Sequence, residues 1–549
     1  MATVNDHPSM NAPNERDPLN NNSCGTLVDR EYVDVGLPIL DVHDFNERII
    51  RGYEEGQGEK ELPADLSLAR SLVPAETATL RDFSYVAPEI PEYIPGNCTG
   101  CMDCVTECPD TAILGMVLAE PDLEEKLGEM IEDPDERAEF AEQWSTPRKY
   151  YDGPKKKGKE GGRFAIIIDP SKCKGCAECV TVCDDLSLKM VTKTEPVMNK
   201  SQRFHRQFKE IGPSDDSYIN DNLLIEMMLK EKRHIYVGGA GLCAGCGEGT
   251  ALRMLCAATE AKFGDQWGIV AATGCNAVYT STYPYNPYLV PWTNSLFENA
   301  PADAMGVRMR WNQLVWVDRP LWCIGGDGAM FYIGFQSLSR LLASGLDVKV
   351  FVLNTQVYSN TGGQASTSSY TGQNTKMRFH EKHLVGKQER RKEIAQIAMM
   401  HLRTFVAQTT CDHTNHFYKA VLGALEFDGP AIVNCYTTCH PEHGVADHMA
   451  SDQARLSVDS RAFPLLNFDP RKGDRLKERL SLQGNPAMKE DWRTNPKSGK
   501  TVDFSNFARS EGRFAKHFDP DGNASETLER AKQDRLENWR LLQELAGVI

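Results

Sequence analysis

The alternation of apolar and polar positions is most regular between residues 321 and 363. Leu321 to Ile324 is a short apolar run that closes at Gly325-Gly326-Asp327-Gly328, and Ala329 to Ser344 is apolar at near-helical spacing before stopping at Gly345. Val348 to Leu353, rich in valine, is a second apolar run that ends at Asn354. The pattern predicts strand, turn, helix, strand, turn, with both strands buried and parallel. Elsewhere the chain predicts an acidic helical segment over Pro121 to Trp144, an amphipathic helix over Leu223 to Lys232 and a final helix over Glu526 to Leu545. Residues 1 to about 30 are polar and rich in Asn and Pro, as in a mobile or wrapping arm. Tyr32 to Pro95 has only short apolar pieces among Pro and acidic residues and reads as an irregular connector.

Length and composition narrow the class. A chain of 549 residues is too long for one core and predicts three or four units. The net charge of −16 disfavours nucleic acid as a partner. No apolar run is long enough to span a bilayer, and the first residues show no export signal, so a cytoplasmic chain is expected. In that setting 17 cysteines point to metal and not to disulfides.

Eight of those cysteines fall in two runs. C-T-G-C-M-D-C-V-T-E-C-P gives Cys98, Cys101, Cys104 and Cys108, and C-K-G-C-A-E-C-V-T-V-C-D gives Cys173, Cys176, Cys179 and Cys183. Three thiolates at this spacing wrap one face of a cubane cluster, and the fourth serves a second cluster. Zinc knuckles rarely repeat the four-cysteine spacing. The expected sets are Cys98, Cys101, Cys104 and Cys183 for one [4Fe–4S] cluster, and Cys173, Cys176, Cys179 and Cys108 for the other. Between the runs, the stretch Pro154 to Lys159 carries four lysines; it reads as a solvated loop, with docking of an acidic electron carrier as the sharper alternative.

A third C-x-x-C, Cys243 and Cys246, lies in G-G-A-G-L-C-A-G-C-G-E. Alone it suits a redox dithiol, half a zinc site or half a cluster site. Cys275 and Cys439 sit at predicted strand ends further on. The remaining Cys24, Cys256, Cys323, Cys411 and Cys435 read as small core or surface residues, and His440 and His443 as packing or hydrogen-bonding groups.

The Gly326-Asp327-Gly328 turn opening a helix is an anion site, because free backbone N–H groups face a phosphate there. Asp327 adds a carboxylate and the Asn354/Thr355 turn adds oxygens across the crevice, a donor set suited to Mg²⁺ on a diphosphate. GDG followed by N-T-Q-V-Y-S-N resembles the thiamine-diphosphate signature. With C-A-G-C-G-E, T-G-C-N-A-V-Y, S-N-T-G-G-Q and Y-T-T-C in order, the chain from about residue 30 onward resembles the C-terminal half of single-chain pyruvate:ferredoxin oxidoreductases.

That resemblance implies an α/β thiamine-diphosphate domain, a parallel sheet flanked by helices. A small α+β bacterial two-[4Fe–4S] ferredoxin-like domain would precede it and an extension follow. The implied divisions are 1–96 arm and connector, 97–200 ferredoxin-like domain, 201–450 thiamine-diphosphate domain, and 451–549 an extension that wraps a partner subunit. It implies that Cys243, Cys246, Cys275 and Cys439 hold a third, proximal [4Fe–4S] cluster. Asp327, the Thr355 side chain and the Val357 carbonyl would bind Mg²⁺; Glu248 would lie near the thiazolium, and Asn360 would reach toward the substrate carboxylate or the nascent intermediate. Asp184 stands where the family has proline, which predicts an altered local backbone or potential with the cluster intact.

The family's pyrimidine-binding and coenzyme A regions lie in its N-terminal half, which has no counterpart here. A β-type subunit is therefore expected, active with an α-type partner that also supplies the substrate arginine, in a heterodimer that pairs into a heterotetramer. Pyruvate is the favoured substrate, with coenzyme A as co-substrate and ferredoxin or flavodoxin as acceptor. The alternatives are a 2-oxoglutarate or branched-chain 2-oxo acid enzyme, or an electron-transfer subunit with a vestigial thiamine pocket.

Overall fold

The computed structural model describes residues 42–58, 60, 73–75, 77–230, 236–239, 241–280, 283–376, 385–494 and 498–549. The expected arm, Cys24, much of the connector and the end of the helix expected at Leu223–Lys232 lie outside the described residues. What is described of that helix is Leu224–Met227 with one further turn, Met228–Lys230.

The region carrying both cysteine runs is built on two antiparallel strand pairs. β1 (Glu89–Tyr93) pairs with β4 (Leu188–Thr192), and β2 (Ile113–Ala119) with β3 (Gly162–Ile168). A short helix carries the third cysteine of each run: α1 (Asp103–Thr106) with Cys104 and α2 (Glu178–Thr181) with Cys179. The two runs share backbone irregularities at matching positions. Gly100 and Gly175, Met102 and Ala177, and Thr111 and Leu186 all take positive φ. The Cys108 and Cys183 sulfurs each accept a hydrogen bond from the amide four residues on, at 3.3 Å from Ala112 and 3.2 Å from Ser187. Asp184, expected to alter the local backbone, leaves these left-handed positions in register with those of the first run. The acidic segment expected as one helix over Pro121 to Trp144 is two, Glu120–Met130 and Pro134–Ala141. Asp133 starts the second, its carboxylate accepting from the amides of Asp135 and Glu136 with Pro134 at the first helical position.

The larger sheet has eight strands: β5 (Gly268–Ala272), β6 (Trp292–Ser295), β7 (Leu321–Gly326), β8 (Lys349–Asn354), β9 (Phe405–Thr410), β10 (Ala431–Tyr436), β11 (Leu466–Phe468) and β12 (Leu480–Ser481). Their order is β12-β11-β9-β10-β8-β7-β5-β6; the six strands from β9 to β6 are parallel, and β11 and β12 close one edge antiparallel. β8, β9 and β10 are buried at every residue, as strands covered on both faces must be. The chain leaves β5 for β6 on one side and returns to β7 on the other, so the carboxyl ends of β5 and β7 flank a topological switch point, where α/β sheets bind ligands.

The helix predicted over Ala329 to Ser344 is broken. A wide turn, Gly328–Ile333, precedes α6 (Phe335–Ser344), and Gly334 separates them because a Cβ there would lie 2.4 Å from the Phe297 carbonyl oxygen. α6 ends as expected at Gly345, which is left-handed.

α3 (Gly247–Phe263) joins the two regions. Its Arg253 is fully buried and donates to the carbonyls of Val105, Cys108 (3.2 Å) and Ile113 (3.1 Å). Thr250 donates to the Glu107 carbonyl at 3.1 Å. Opposite, the buried Glu178 carboxylate accepts from the amides of Ala450 and Ser451 at 3.1 and 2.9 Å, capping α8 (Ala450–Asp459). One hydrophobic core runs from Ile90 through α3 to Val433. Arg253→Leu leaves three carbonyls without this donor, each costing about 1–3 kcal/mol if unsatisfied. We expect a loss of about 3 kcal/mol or more in anaerobic urea unfolding; a loss below about 1 kcal/mol would mean water or other donors replace the guanidinium.

The extension expected to wrap a neighbouring subunit packs here on its own chain. Phe504, Phe507, Phe514 and Leu528 form a core with Tyr370 and Tyr436 of the α/β domain. α10, Glu526–Leu545 as expected from the sequence, is tied down by Arg535 to Glu393 (2.6 Å) and by Thr371 to Asp534 (2.6 Å). No helix among the described residues is long and apolar enough to cross a membrane.

Candidate functional site

A crevice opens at the carboxyl ends of the central strands. It is lined from β5 by Thr273, Gly274 and Cys275, from β7 by Gly326 to Ala329, and from β8 by Thr355 and Val357 to Thr361; Glu248 and Phe297 complete it. Asp327, Thr355, Val357, Glu248 and Asn360 are thereby brought together. The Thr355 hydroxyl lies 3.2 Å from Asp327 Oδ1 and 3.1 Å from the Val357 carbonyl, so the three oxygens expected to bind metal adjoin one another. Burial pushes the Asp327 carboxyl up to about 6, against hydrogen bonds from Ser366 and Thr355 that favour its charged form. A buried carboxylate among hydroxyl and carbonyl oxygens is a site that a hard cation completes. Gly328 is required sterically, since a Cβ would meet the Tyr358 ring at 2.3 Å.

Glu248, at the start of α3, is buried, and its Oε2 accepts from the Tyr279 hydroxyl at 3.3 Å. Burial, and then the Asp327 charge, push its carboxyl up to about 8. Sequence reasoning did not find Tyr279 or Ser366. Each belongs to the site through a fold contact, Tyr279 over 31 residues and Ser366 over 39, with no local pattern to mark it.

The cysteines gather in three places. One small cavity is lined by Cys98, Cys101, Cys104 and Cys183, another by Cys108, Cys173, Cys176 and Cys179. The fourth cysteine of each run thus faces the cavity of the other. Cys243, Cys246 and Cys439 each act electrostatically on Cys275, whose thiol is pushed up by burial and then by Glu248 and these neighbours. Among the described residues, no three acidic, cysteine or histidine groups are close enough to hold a single metal ion.

The three groups form a line. Cys275 lines the crevice itself, and the Ser359 hydroxyl, 2.8 Å from Thr355 Oγ1, lies near enough to Cys439 to favour its thiolate. Lys174 is buried beside Cys173, its ammonium 2.8 Å from Asp110 Oδ1 and 3.0 and 3.1 Å from the carbonyls of Gly239 and Leu242, next to Cys243. Cys104 in turn lies within electrostatic reach of Cys179. Cys101, at the far end of the line, is exposed.

Cys256, Cys323, Cys411 and Cys435 are buried core residues. His443 is fully buried and held neutral by burial, with Nε2 2.8 Å from the Thr355 carbonyl oxygen. His440 is buried with neither ring nitrogen partnered.

Residues 272–435 match the family model described as thiamine pyrophosphate enzyme, C-terminal TPP binding domain. Over 318 residues the chain is 30% identical to pyruvate synthase subunit PorB of Pyrococcus horikoshii, covering 56% of this chain and 94% of that one. The chain belongs to the pyruvate:ferredoxin oxidoreductase family. The PorB subunit of Pyrococcus furiosus is 34% identical over 248 residues, 44% of this chain and 74% of that one. A longer relative, the probable pyruvate-flavodoxin oxidoreductase of Escherichia coli K12, is 27% identical over 478 residues, 73% of this chain but only 38% of its own length. The chain spans less than half the length of such longer family members. The matched residues include Asp327, Thr355 and Val357 of the crevice.

Proposed function

We propose that this chain is the β-type half of a 2-oxoacid:ferredoxin oxidoreductase acting on pyruvate. The observation that carries this is that Cys275, grouped with Cys243, Cys246 and Cys439, lines the wall of the crevice that holds Asp327 and Thr355. The net reaction takes pyruvate and the thiol of coenzyme A to acetyl-CoA, carbon dioxide and one proton, and two electrons leave singly to ferredoxin or flavodoxin. When bound, thiamine diphosphate supplies the carbon nucleophile and electron sink for decarboxylation, and three [4Fe–4S] clusters supply one-electron carriers.

In this reading, the region from β1 to about residue 200 forms the ferredoxin-like domain, starting before residue 97 because β1 pairs with β4. Cys98, Cys101, Cys104 and Cys183 hold the outer cluster, Cys108, Cys173, Cys176 and Cys179 the middle one, and Cys243, Cys246, Cys275 and Cys439 the proximal one. Asp327, the Thr355 hydroxyl and the Val357 carbonyl hold Mg²⁺, and the Gly326–Gly328 backbone faces the diphosphate. Asn360, exposed at the crevice mouth, donates to the substrate carboxylate. Glu248, raised to about 8, holds a proton at its carboxyl in the crevice while accepting a hydrogen bond from Tyr279. The pyrimidine half, the coenzyme A site and the substrate arginine are assigned to an α-type partner. In support, Leu296 and Tyr332, 59% and 64% exposed, flank the crevice in sequence and await a cover.

Glu248→Gln preserves shape and removes the acid. About a 100-fold fall in kcat is expected with thiamine diphosphate binding retained; unchanged kcat would reduce Glu248 to a structural role. A panel of 2-oxo acids on the complex tests the substrate. Pyruvate is expected to give the highest kcat/KM, and a higher value for 2-oxoglutarate or a branched 2-oxo acid would reassign it.

A further inference from the structure

The turn that offers oxygens to the metal is held from behind by the C-terminal extension. Beyond β8 the chain passes through Gln356, which is buried at φ +56 without being glycine. Such a conformation persists only where its surroundings hold it. The Gln356 side-chain amide donates to Asn354, and its carbonyl accepts from Ser369 Oγ at 2.6 Å and Gln373 Nε2 at 2.9 Å. A further grip comes from residue 513, beside that of His443 on the Thr355 carbonyl. Arg513 Nη2 donates to Gln356 Oε1 at 3.1 Å, and Nη1 reaches the Thr355 carbonyl at 3.5 Å. Its Nε donates to Glu511 at 2.6 Å, and Tyr436 donates to the other oxygen of that carboxylate at 3.2 Å. Arg513 is 4% exposed and Glu511 2% exposed, so this pair is shielded from water and fixed in direction.

We propose that Arg513 is a positioning residue for the metal–diphosphate site. By gripping Gln356 and the Thr355 carbonyl, it sets the direction in which the Thr355 hydroxyl and Val357 carbonyl face Asp327. The inference rests on the thiamine reading above. It gives the extension a task within its own subunit, since a residue more than 150 positions away completes the turn.

The test titrates thiamine diphosphate and Mg²⁺ onto the complex with its partner, reading cofactor binding, iron content and melting temperature together. Arg513→Gln is expected to raise the Mg²⁺ concentration needed for cofactor binding by about 10- to 100-fold with iron content unchanged, as loss of a group that orients a ligand does. Arg513→Lys keeps the charge but cannot span Gln356 and Glu511 together, so a smaller rise of the same kind is expected, and it serves if the Gln variant fails to fold. Arg530→Gln, which loses only an exposed contact of the extension to Gln388, is expected to bind as wild type. A lowered melting temperature with unchanged Mg²⁺ dependence in the Arg513 variants would overturn the inference. Wild-type complex that binds no thiamine diphosphate would instead overturn the reading beneath it.

Discussion

Asp327→Asn is expected to abolish thiamine diphosphate binding at any practical Mg²⁺ concentration. The crevice holds two carboxylates, Asp327 and Glu248, and only Asp327 adjoins the Thr355 hydroxyl and through it the Val357 carbonyl. Groups that merely orient a ligand are worth about 10- to 100-fold in metal affinity, so removal of the charged ligand itself should exceed about 100-fold. A pH dependence goes with it. The protonated carboxyl cannot bind the metal, and burial places its titration near 6, so Mg²⁺ affinity should be full above that pH and fall about tenfold per unit below it. The asparagine variant should show no such limb. Isothermal titration of the complex with Mg²⁺ and thiamine diphosphate reads both effects, and retained binding in Asp327→Asn would remove the metal from this position.

Cys275→Ala is expected to remove the proximal cluster while leaving the crevice able to bind cofactor. Its thiol lines the crevice wall and lies with Cys243, Cys246 and Cys439. About four of about twelve iron atoms per chain should be lost. Pyruvate-driven reduction of the outer clusters, followed by electron paramagnetic resonance, should then fall to background because the line of thiols is cut at its first member. Cys435→Ala is the contrast, a fully buried β10 residue whose sulfur lies 3.5 Å from the Tyr436 carbonyl. It should keep its iron. Equal iron loss in both variants would point to general destabilisation.

Local chemistry made much of this legible. The spacing within each cysteine run led to two groups of thiols with exchanged fourth members, and two such cavities are present. GDG and the Asn354 turn lie at neighbouring strand ends because parallel βαβ geometry places consecutive turns side by side. Breaks within elements were harder to see. The helix expected from Ala329 is interrupted because Gly334 must pass the Phe297 carbonyl, a contact invisible in periodicity. The split at Asp133-Pro134 did carry a readable signal, an acidic N-cap before proline, which the acidic run masked. Groups that act through distant contacts were beyond reach. Ser366 on Asp327, Lys174 between two thiol groups and Arg513 on Gln356 are ordinary residues until the fold brings them together.

In the proposed reading, the crevice and the three thiol groups form one electron path starting from a 2-oxo acid. Anaerobic purification of the chain with its partner tests it in a single preparation, by iron content, bound thiamine diphosphate and coenzyme A-dependent reduction of viologen by pyruvate. About twelve iron atoms per chain, one thiamine diphosphate and viologen reduction that needs both pyruvate and coenzyme A are predicted. About eight iron atoms with no thiamine diphosphate and no reduction would contradict the account and leave an electron carrier alone.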